Sequence, residues 1–279
     1  MAHLTFKVIQ PYGPCHAVSK TKDFFDTDLS TYPKPWYLTD VPVHDDRYGD
    51  ELKVRGFRML PDNYQDIHEG TVFISSHGLA QCKKDALKAQ GLTLVDLTCR
   101  FVQDIHTNIL DALERGKPTY FLGKKGTQEC NEILGEGDVH LIQKGEKPIL
   151  PENAYLTSQT TMVKDAFDAI VEVNAYTPGI TTRLGLCGEC LMRQGRLRQA
   201  LKDADAAIIV GSRSSANTRA LFDIAQIEKP TIWVECQDDM DVEFLMAQKN
   251  IIVASGTSAD SDLCSWVTDY LAKFDYAKE

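Results

Sequence analysis

Short apolar runs recur along the chain, and most of them end at a small or polar turn. The runs are rich in β-branched residues and lack the polar alternation of a half-exposed strand. This pattern predicts strands that are buried on both faces, as in parallel sheets. The runs lie at residues 6–9, 36–38, 71–74, 92–95, 119–122, 154–156, 206–210, 231–234 and 251–253.

Stretches with helical character separate these runs. Examples lie at residues 80–90, 102–114, 165–174 and 196–204. Strands that alternate with helices predict parallel sheets covered by helices. The pattern therefore indicates an α/β fold.

Three cysteines mark a coarse internal repeat. Cys15, Cys99 and Cys187 each close a strand-like or turn-like stretch and open a helical one, at separations of 84 and 88 residues. The repeat predicts three small α/β units, with sites at the carboxyl ends of their strands. Their expected boundaries are residues 1–98, 99–186 and 187–279. A pseudo-threefold arrangement of these units would bring their polar loops to one centre.

Composition and net charge limit which binding partners and which cellular compartment we expect for this chain. The formal net charge of −10 disfavours nucleic acid as a partner but leaves room for a small anion in a local pocket. We expect no membrane association, because no apolar run approaches the length of a transmembrane helix. The first residues also lack the apolar core of a signal peptide, so we expect a cytoplasmic, reducing environment. The eight cysteines are then thiols, metal ligands or catalysts rather than disulfides.

The periodic cysteines are candidate metal ligands. A cysteine between a strand end and a helix faces the positive end of the helix dipole, which favours the thiolate. Three such thiolates at one point would suit an iron–sulfur cluster or zinc. Spacing alone leaves open that they are buried packing residues. Cys190 forms a C-x-x-C with Cys187, but the chain has no second such pair, so we expect an accessory role for Cys190.

Another set of residues is equipped to bind an anion. Residues 211–217 offer backbone N–H groups, hydroxyls and an amide at the start of a predicted helix, and residues 255–258 repeat the pattern. His44 and His77 follow strand ends and could donate hydrogen bonds to the same anion. Each loop alone is equally typical of a helix cap or turn. Together they favour a compact, doubly charged anion such as a diphosphate.

Glu129, Thr160 and Thr161 form a third set at strand ends. A carboxyl group with hydroxyl neighbours could relay protons to a substrate. The alternative is that Glu129 is only a first-turn acid that favours its helix.

The order and spacing of these pieces resemble those of the 4-hydroxy-3-methylbut-2-enyl diphosphate reductases, from about residue 6 to about residue 271. The matching pieces are residues 13–18, 43–44, 75–78, 96–99, 102–106, 123–129, 158–161, 187–194, 210–217 and 255–259.

The resemblance implies three α/β units around a 4Fe-4S cluster. Two electrons from a ferredoxin or flavodoxin and two protons would expel the substrate hydroxyl as water, giving isopentenyl and dimethylallyl diphosphate. The implied metal ligands are Cys15, Cys99 and Cys187, the implied catalytic residues are Glu129 and Thr160, and the expected substrate-binding residues are His44, His77, Thr161, Ser215, Asn217 and Ser258.

Four positions depart from the family pattern. Ala17 stands for a glycine, Arg100 for a proline, Thr127 for a histidine and Ala216 for a serine. These changes leave open a divergent relative that uses the same cluster on a different small anionic substrate. A non-enzymatic metal- or redox-sensing module is a further alternative, and the retained anion-binding loops count against it.

Overall fold

A computed structural model describes residues 4–42 and 46–276, so the candidate His44 lies outside the described residues. Twelve described strands form three four-stranded sheets, in which every pair is parallel. The α/β fold class is therefore confirmed. The strands are β1 (Thr5–Val8), β2 (Trp36–Leu38), β3 (Phe57–Met59), β4 (Thr71–Ile74), β5 (Thr93–Asp96), β6 (Thr119–Leu122), β7 (Val139–Ile142), β8 (Tyr155–Ser158), β9 (Thr181–Arg183), β10 (Ala206–Val210), β11 (Thr231–Val234) and β12 (Asn250–Ser255).

Helices connect the strands, and a helix begins directly after each periodic cysteine, as predicted. These three helices are α1, α4 and α7. The described helices are α1 (His16–Phe25), α2 (Asp46–Val54), α3 (Gln81–Ala89), α4 (Arg100–Glu114), α5 (Gln128–Leu134), α6 (Lys164–Val173), α7 (Gly188–Leu201), α8 (Ala216–Glu228), α9 (Val242–Met246) and α10 (Ser261–Tyr276).

The three sheets share one strand order. The sheets read β3-β2-β4-β5, β7-β6-β8-β9 and β11-β10-β12-β1. In the last sheet the N-terminal strand β1 takes the fourth place, where Thr5–Val8 pairs with Asn250–Val253 of β12. Residues 1–98 thus supply a strand to the sheet of the C-terminal segment. The boundaries at 98/99 and 186/187 stay predictions, as does the pseudo-threefold arrangement.

The described residues divide into two compact units. The first unit comprises residues 4–18 and 188–276 and holds the sheet of β1, β10, β11 and β12. Its core packs Leu4 and Val253 against Val267 and Leu271 of α10. The second unit comprises residues 19–42 and 46–187 and holds the other two sheets.

The predicted apolar runs all coincide with strands, but three strands were missed. They are β3, β7 and β9, which lie at sheet edges. All three residues of β9 are exposed, and β3 and β7 are only partly buried. A strand with one open edge and an exposed face does not need a continuous apolar run, so the sequence carries no such signal there.

None of the helices in residues 4–42 and 46–276 combines the length and the apolar character needed to cross a membrane.

The burial of Leu4 leads to a first prediction. Leu4, just before β1, is 1% exposed in the core of the first unit, whereas Val54 at the end of α2 is 90% exposed. We expect Leu4→Ala to lower the free energy of unfolding by about 2 to 5 kcal/mol, because it leaves a cavity. Val54→Ala should change it by less than about 0.5 kcal/mol. Urea unfolding measures both, and equal stability of the two variants would contradict this account of the N-terminal strand.

Candidate functional site

Each periodic cysteine lies in the loop that follows the fourth strand of a sheet. Its backbone N–H donates to a carbonyl in the loop after the third strand of the same sheet. The bonds run from Cys15 to Thr257 at 2.8 Å, from Cys99 to Ser76 at 3.1 Å and from Cys187 to Thr160 at 3.2 Å. All three cysteines are half-buried and stand immediately before a helix. The repeat seen in the sequence is therefore also a repeat of backbone geometry.

A further hydrogen bond holds each loop two residues before its cysteine. Gly13 N–H donates to Ser255 Oγ at 2.8 Å, and Gly185 N–H donates to Ser158 Oγ at 3.1 Å. In the remaining sheet Leu97 N–H donates to the Ile74 carbonyl at 3.0 Å. Each cysteine loop is thus fixed to its sheet at two points.

The other cysteines lie in different surroundings. Cys82 and Cys236 are exposed, and Cys130, Cys190 and Cys264 are buried. Burial raises the pKa of the Cys130 thiol to about 11, with the nearby charge of Glu129 acting in the same direction. Burial also raises the pKa of Cys264 to about 11. Such thiols resist forming the thiolate that binds iron.

The chemistry of the candidate ligands tests whether this chain could hold an iron–sulfur cluster. Within residues 4–42 and 46–276, no three His, Cys, Asp or Glu side chains are arranged as a metal site. Cys15, Cys99 and Cys187 are nevertheless half-buried cysteines at helix N-termini, where the thiolate that binds iron is favoured. The donor set fits such a group.

His77 pairs with Asp40 in the second unit. The His77 Nδ1 and Asp40 Oδ2 atoms are 2.8 Å apart, and both side chains are about a quarter exposed. Desolvation lowers the pKa of His77, but the hydrogen bond and charge of Asp40 and the charge of Glu129 outweigh it and raise this pKa overall. The pair therefore favours an imidazolium that can attract an anion.

Glu129 and Thr160, the proposed catalytic residues, are in direct contact. Thr160 donates its backbone N–H to Glu129 Oε1 at 2.8 Å and its hydroxyl to Oε2 at 2.7 Å. Burial raises the pKa of Glu129, although these two bonds and the charges of His77 and His106 lower it. The neighbouring Thr161 has a buried Oγ1 that finds no hydrogen-bond partner among the described residues.

Thr127, which stands where the family has histidine, is part of a closed loop of hydrogen bonds. Its hydroxyl donates to the Lys124 carbonyl at 2.9 Å and accepts from Gln159 Nε2 at 3.1 Å. Gln159 Oε1 in turn accepts the Lys124 N–H at 2.9 Å. The side chain at this position therefore stabilises the loop before α5.

The predicted anion-binding residues of the first unit lie at the start of α8. Ser215 caps this helix, and Ser258 Oγ lies 3.3 Å from Ser215 Oγ. Asn217 Oδ1 accepts the Thr257 N–H at 2.9 Å, and its Nδ2 donates to Cys190 Sγ at 3.1 Å. Thr257 thus connects Asn217 to the loop of Cys15, whereas the accessory role of Cys190 stays a prediction.

Arg193, which had no predicted role, holds the Cys15 loop from α7. Its guanidinium is 3% exposed and donates to the carbonyls of Gly13 at 2.8 Å and Ser255 at 2.8 Å. The same group forms an ion pair with Glu189 at 2.8 Å. An arginine has five donors in a planar fork, so it can hold several carbonyls at once.

The structure brings some predicted residues together and adds others. Glu129 contacts Thr160, and Ser215 contacts Ser258. The partner Asp40 was missed, although it follows the end of β2 closely, and strand ends were the signal used for the other candidates. The roles of the predicted site residues stay predictions.

Comparison with known proteins identifies the family to which this chain belongs. The model of the LytB protein family matches residues 6–272. The 4-hydroxy-3-methylbut-2-enyl diphosphate reductase of Brevibacillus brevis is 28% identical over 96% of this chain and 91% of its own length. The reductase of that name from Vibrio cholerae is 26% identical over 93% of this chain and 87% of its own.

The fold is also found in solved structures. The structure of the E-1-hydroxy-2-methyl-but-2-enyl-4-diphosphate reductase from Plasmodium falciparum superposes with a TM-score of 0.87. It covers 99% of this chain and 91% of that one, at 23% sequence identity. This likeness shows the shared fold.

The loop of Cys187 depends on a glycine that tolerates no side chain. A Cβ on Gly185 would lie 1.7 Å from the Ser158 carbonyl oxygen, whereas a Cβ on Gly195 in α7 would meet nothing within 4 Å. We expect Gly185→Ala to lower the free energy of unfolding by about 1 to 3 kcal/mol. Gly195→Ala should raise it by about 0.5 to 1 kcal/mol, because alanine favours the helix. Denaturant unfolding measures both, and a Gly185→Ala protein as stable as the parent would refute the close approach.

Proposed function

The chain belongs to the LytB protein family and is an oxidoreductase, and from this premise we propose that it reductively removes the hydroxyl group of 4-hydroxy-3-methylbut-2-enyl diphosphate. The products would be isopentenyl and dimethylallyl diphosphate. The non-enzymatic alternative is set aside, because the relatives that match nearly the whole chain are reductases by name.

One observation carries the proposal. Cys15, Cys99 and Cys187 occupy the same position in three sheets of one strand order, each with its N–H bonded to the loop after the third strand. Equivalent positions for three thiols suit the ligation of a 4Fe-4S cluster. Such a cluster, when bound, would deliver electrons and offer one iron as a Lewis acid for the substrate hydroxyl.

The reaction balances with two electrons and two protons. The C–O bond to the hydroxyl breaks, a C–H bond forms, and the oxygen leaves as water. The electrons would come from a ferredoxin or a flavodoxin. The chain must therefore supply protons at a site that limits the access of bulk water.

Glu129 is the proposed proton donor. Its burial raises its pKa, so the carboxyl group holds a proton at a higher pH than an exposed glutamate does. Thr160 Oγ1, at 2.7 Å from Oε2, fixes the carboxyl orientation, and it would pass the proton on.

The residues that the resemblance assigns to the diphosphate are hydrogen-bond donors within each unit. In the second unit these are the imidazolium of His77, held by Asp40, and the hydroxyl of Thr161, whose buried oxygen has no partner among the described residues. In the first unit they are Ser215, Asn217 and Ser258 around the start of α8. A helix N-terminus with hydroxyl and amide neighbours is a common phosphate site. His44 belongs to the same proposal through the resemblance alone.

Thr127 favours an alternative function, in which the substrate is a different small anion. Its hydroxyl is already bonded to Lys124 and Gln159, so this position offers no imidazole and no spare donor to a ligand. A chain with this change could act on a different small anion by the same reductive elimination.

Anaerobic turnover tests the proposed reaction. The reconstituted protein is mixed with 4-hydroxy-3-methylbut-2-enyl diphosphate and reduced viologen, and viologen oxidation is followed with product analysis. We expect both isoprenyl diphosphates from the parent protein. Glu129→Gln should retain iron and lose at least about a hundredfold in rate, as removal of a general acid does. A fully loaded parent protein without turnover would favour the alternative function.

Cluster ligation is tested separately with a matched pair of cysteine variants. Cys99→Ser should lose most of its iron after anaerobic reconstitution, because a hydroxyl is a poor ligand for iron. Cys82 is exposed and is not part of the repeat, so Cys82→Ser should keep the iron content of the parent protein. Iron and sulfide analysis with visible absorbance gives the readout. Equal iron in the two variants would remove Cys99 from the ligand set.

A further inference from the structure

Helix α5 and the turn after it carry three buried carboxylates. Glu129 contacts Thr160, whereas Glu132 and Glu136 reach the start of α3. The Ala80 N–H donates to Glu132 Oε2 at 3.1 Å, and the Gln81 N–H donates to both oxygens of Glu136 at 3.1 Å. The segment that leads from His77 into α3 is therefore fixed to the segment that carries Glu129.

His106 of α4 completes this arrangement. Its Nδ1 is hydrogen-bonded to Glu136 Oε1, and the Glu136 side chain is only 1% exposed. The other ring nitrogen, Nε2, is buried and has no partner in the part of the chain that the structure describes. A buried polar atom without a partner is costly, so its presence calls for a physical reason.

The unpaired nitrogen lies against the His77 loop. A Cβ built on Gly78, the residue after His77, would be 2.9 Å from His106 Nε2. Gly78 also has a φ of +85°, which favours glycine. The imidazole thus fills the space that the missing side chain leaves, and it limits how far this loop can move.

His106 also acts on Glu129 through its charge. The titratable groups that face Glu129 are His77 from the loop after β4, His106 from α4 and the adjacent Cys130. The charges of both histidines lower the pKa of Glu129, against the larger opposite effect of burial. His106 therefore favours release of the proton that burial helps Glu129 to hold.

We propose that His106, held by Glu136, is a positioning residue for the proton donor Glu129. It fixes the His77 loop at Gly78 and, through Glu136, the segment that carries Glu129. This inference rests on the proposed function, because it assigns His106 to the proton supply of that reaction.

The test follows the protonation of Glu129 by infrared spectroscopy of the full-length holoprotein across a pH series. The C=O band of a protonated, buried carboxyl group is assigned to Glu129 by its loss in Glu129→Gln. Loss of a nearby positive charge raises the pKa of a carboxyl group. In His106→Gln the band should therefore persist to a pH about one unit higher than in the parent protein.

Kinetics provide the second readout. The pH at which kcat falls should move upward by the same amount, because proton release is harder. KM should rise as well, because His106 packs against the loop that carries His77, a proposed diphosphate ligand. His140→Gln is the matched control: His140 also faces an acid, Asp138 at 3.9 Å, but its side chain is 51% exposed. It should leave both the band and the pH profile unchanged.

A second variant guards against a folding defect in His106→Gln. Glu136→Gln keeps an oxygen for the Gln81 N–H and for His106 but removes the carboxylate that pairs with the imidazole. It should shift the Glu129 band in the same direction. An unshifted band in a folded variant, or no Glu129 band in the parent protein, would overturn the inference. A shifted band without turnover by the parent protein would overturn the proposed reaction alone.

Discussion

The hydrogen bond from each periodic cysteine N–H to the loop after the third strand is the constraint on which the candidate site depends. It occurs in all three sheets, at 2.8 to 3.2 Å. A backbone bond of this kind does not depend on the side chain, so it holds the cysteine in place independently of its sulfur. The helix that follows begins at the next residue, so the same bond also sets where the positive end of that helix lies.

In the second unit, burial and nearby charges have opposite effects on the pKa of the Glu129 carboxyl group. Burial raises the pKa of Glu129, while Thr160 and two histidines lower it. His77 shows the opposite balance, because desolvation lowers its pKa and Asp40 more than restores it. Both pKa shifts favour the protonated form, which is the neutral acid for Glu129 and the imidazolium for His77.

Position 127 lies in a local network of hydrogen bonds. Thr127 bonds to Gln159 and to the Lys124 carbonyl, and Gln159 returns a bond to the Lys124 N–H. The loop before α5 is therefore held in place without an imidazole. Because Glu129 lies in the first turn of α5, this network supports the proposed acid even though position 127 itself offers no spare donor.

The sequence by itself determined the α/β class, the buried strands and the cysteine repeat, because continuous apolar runs and the residues that end them are local features. It could not reveal β9, whose residues are exposed. Nor could it place β1 beside β12, or join Asp40 to His77 and Glu136 to His106. Those contacts depend on which strand ends and helices the folded chain brings together. Only the tertiary structure decided them, since a pairing between distant segments is selected by the packing of the whole unit rather than by either segment alone.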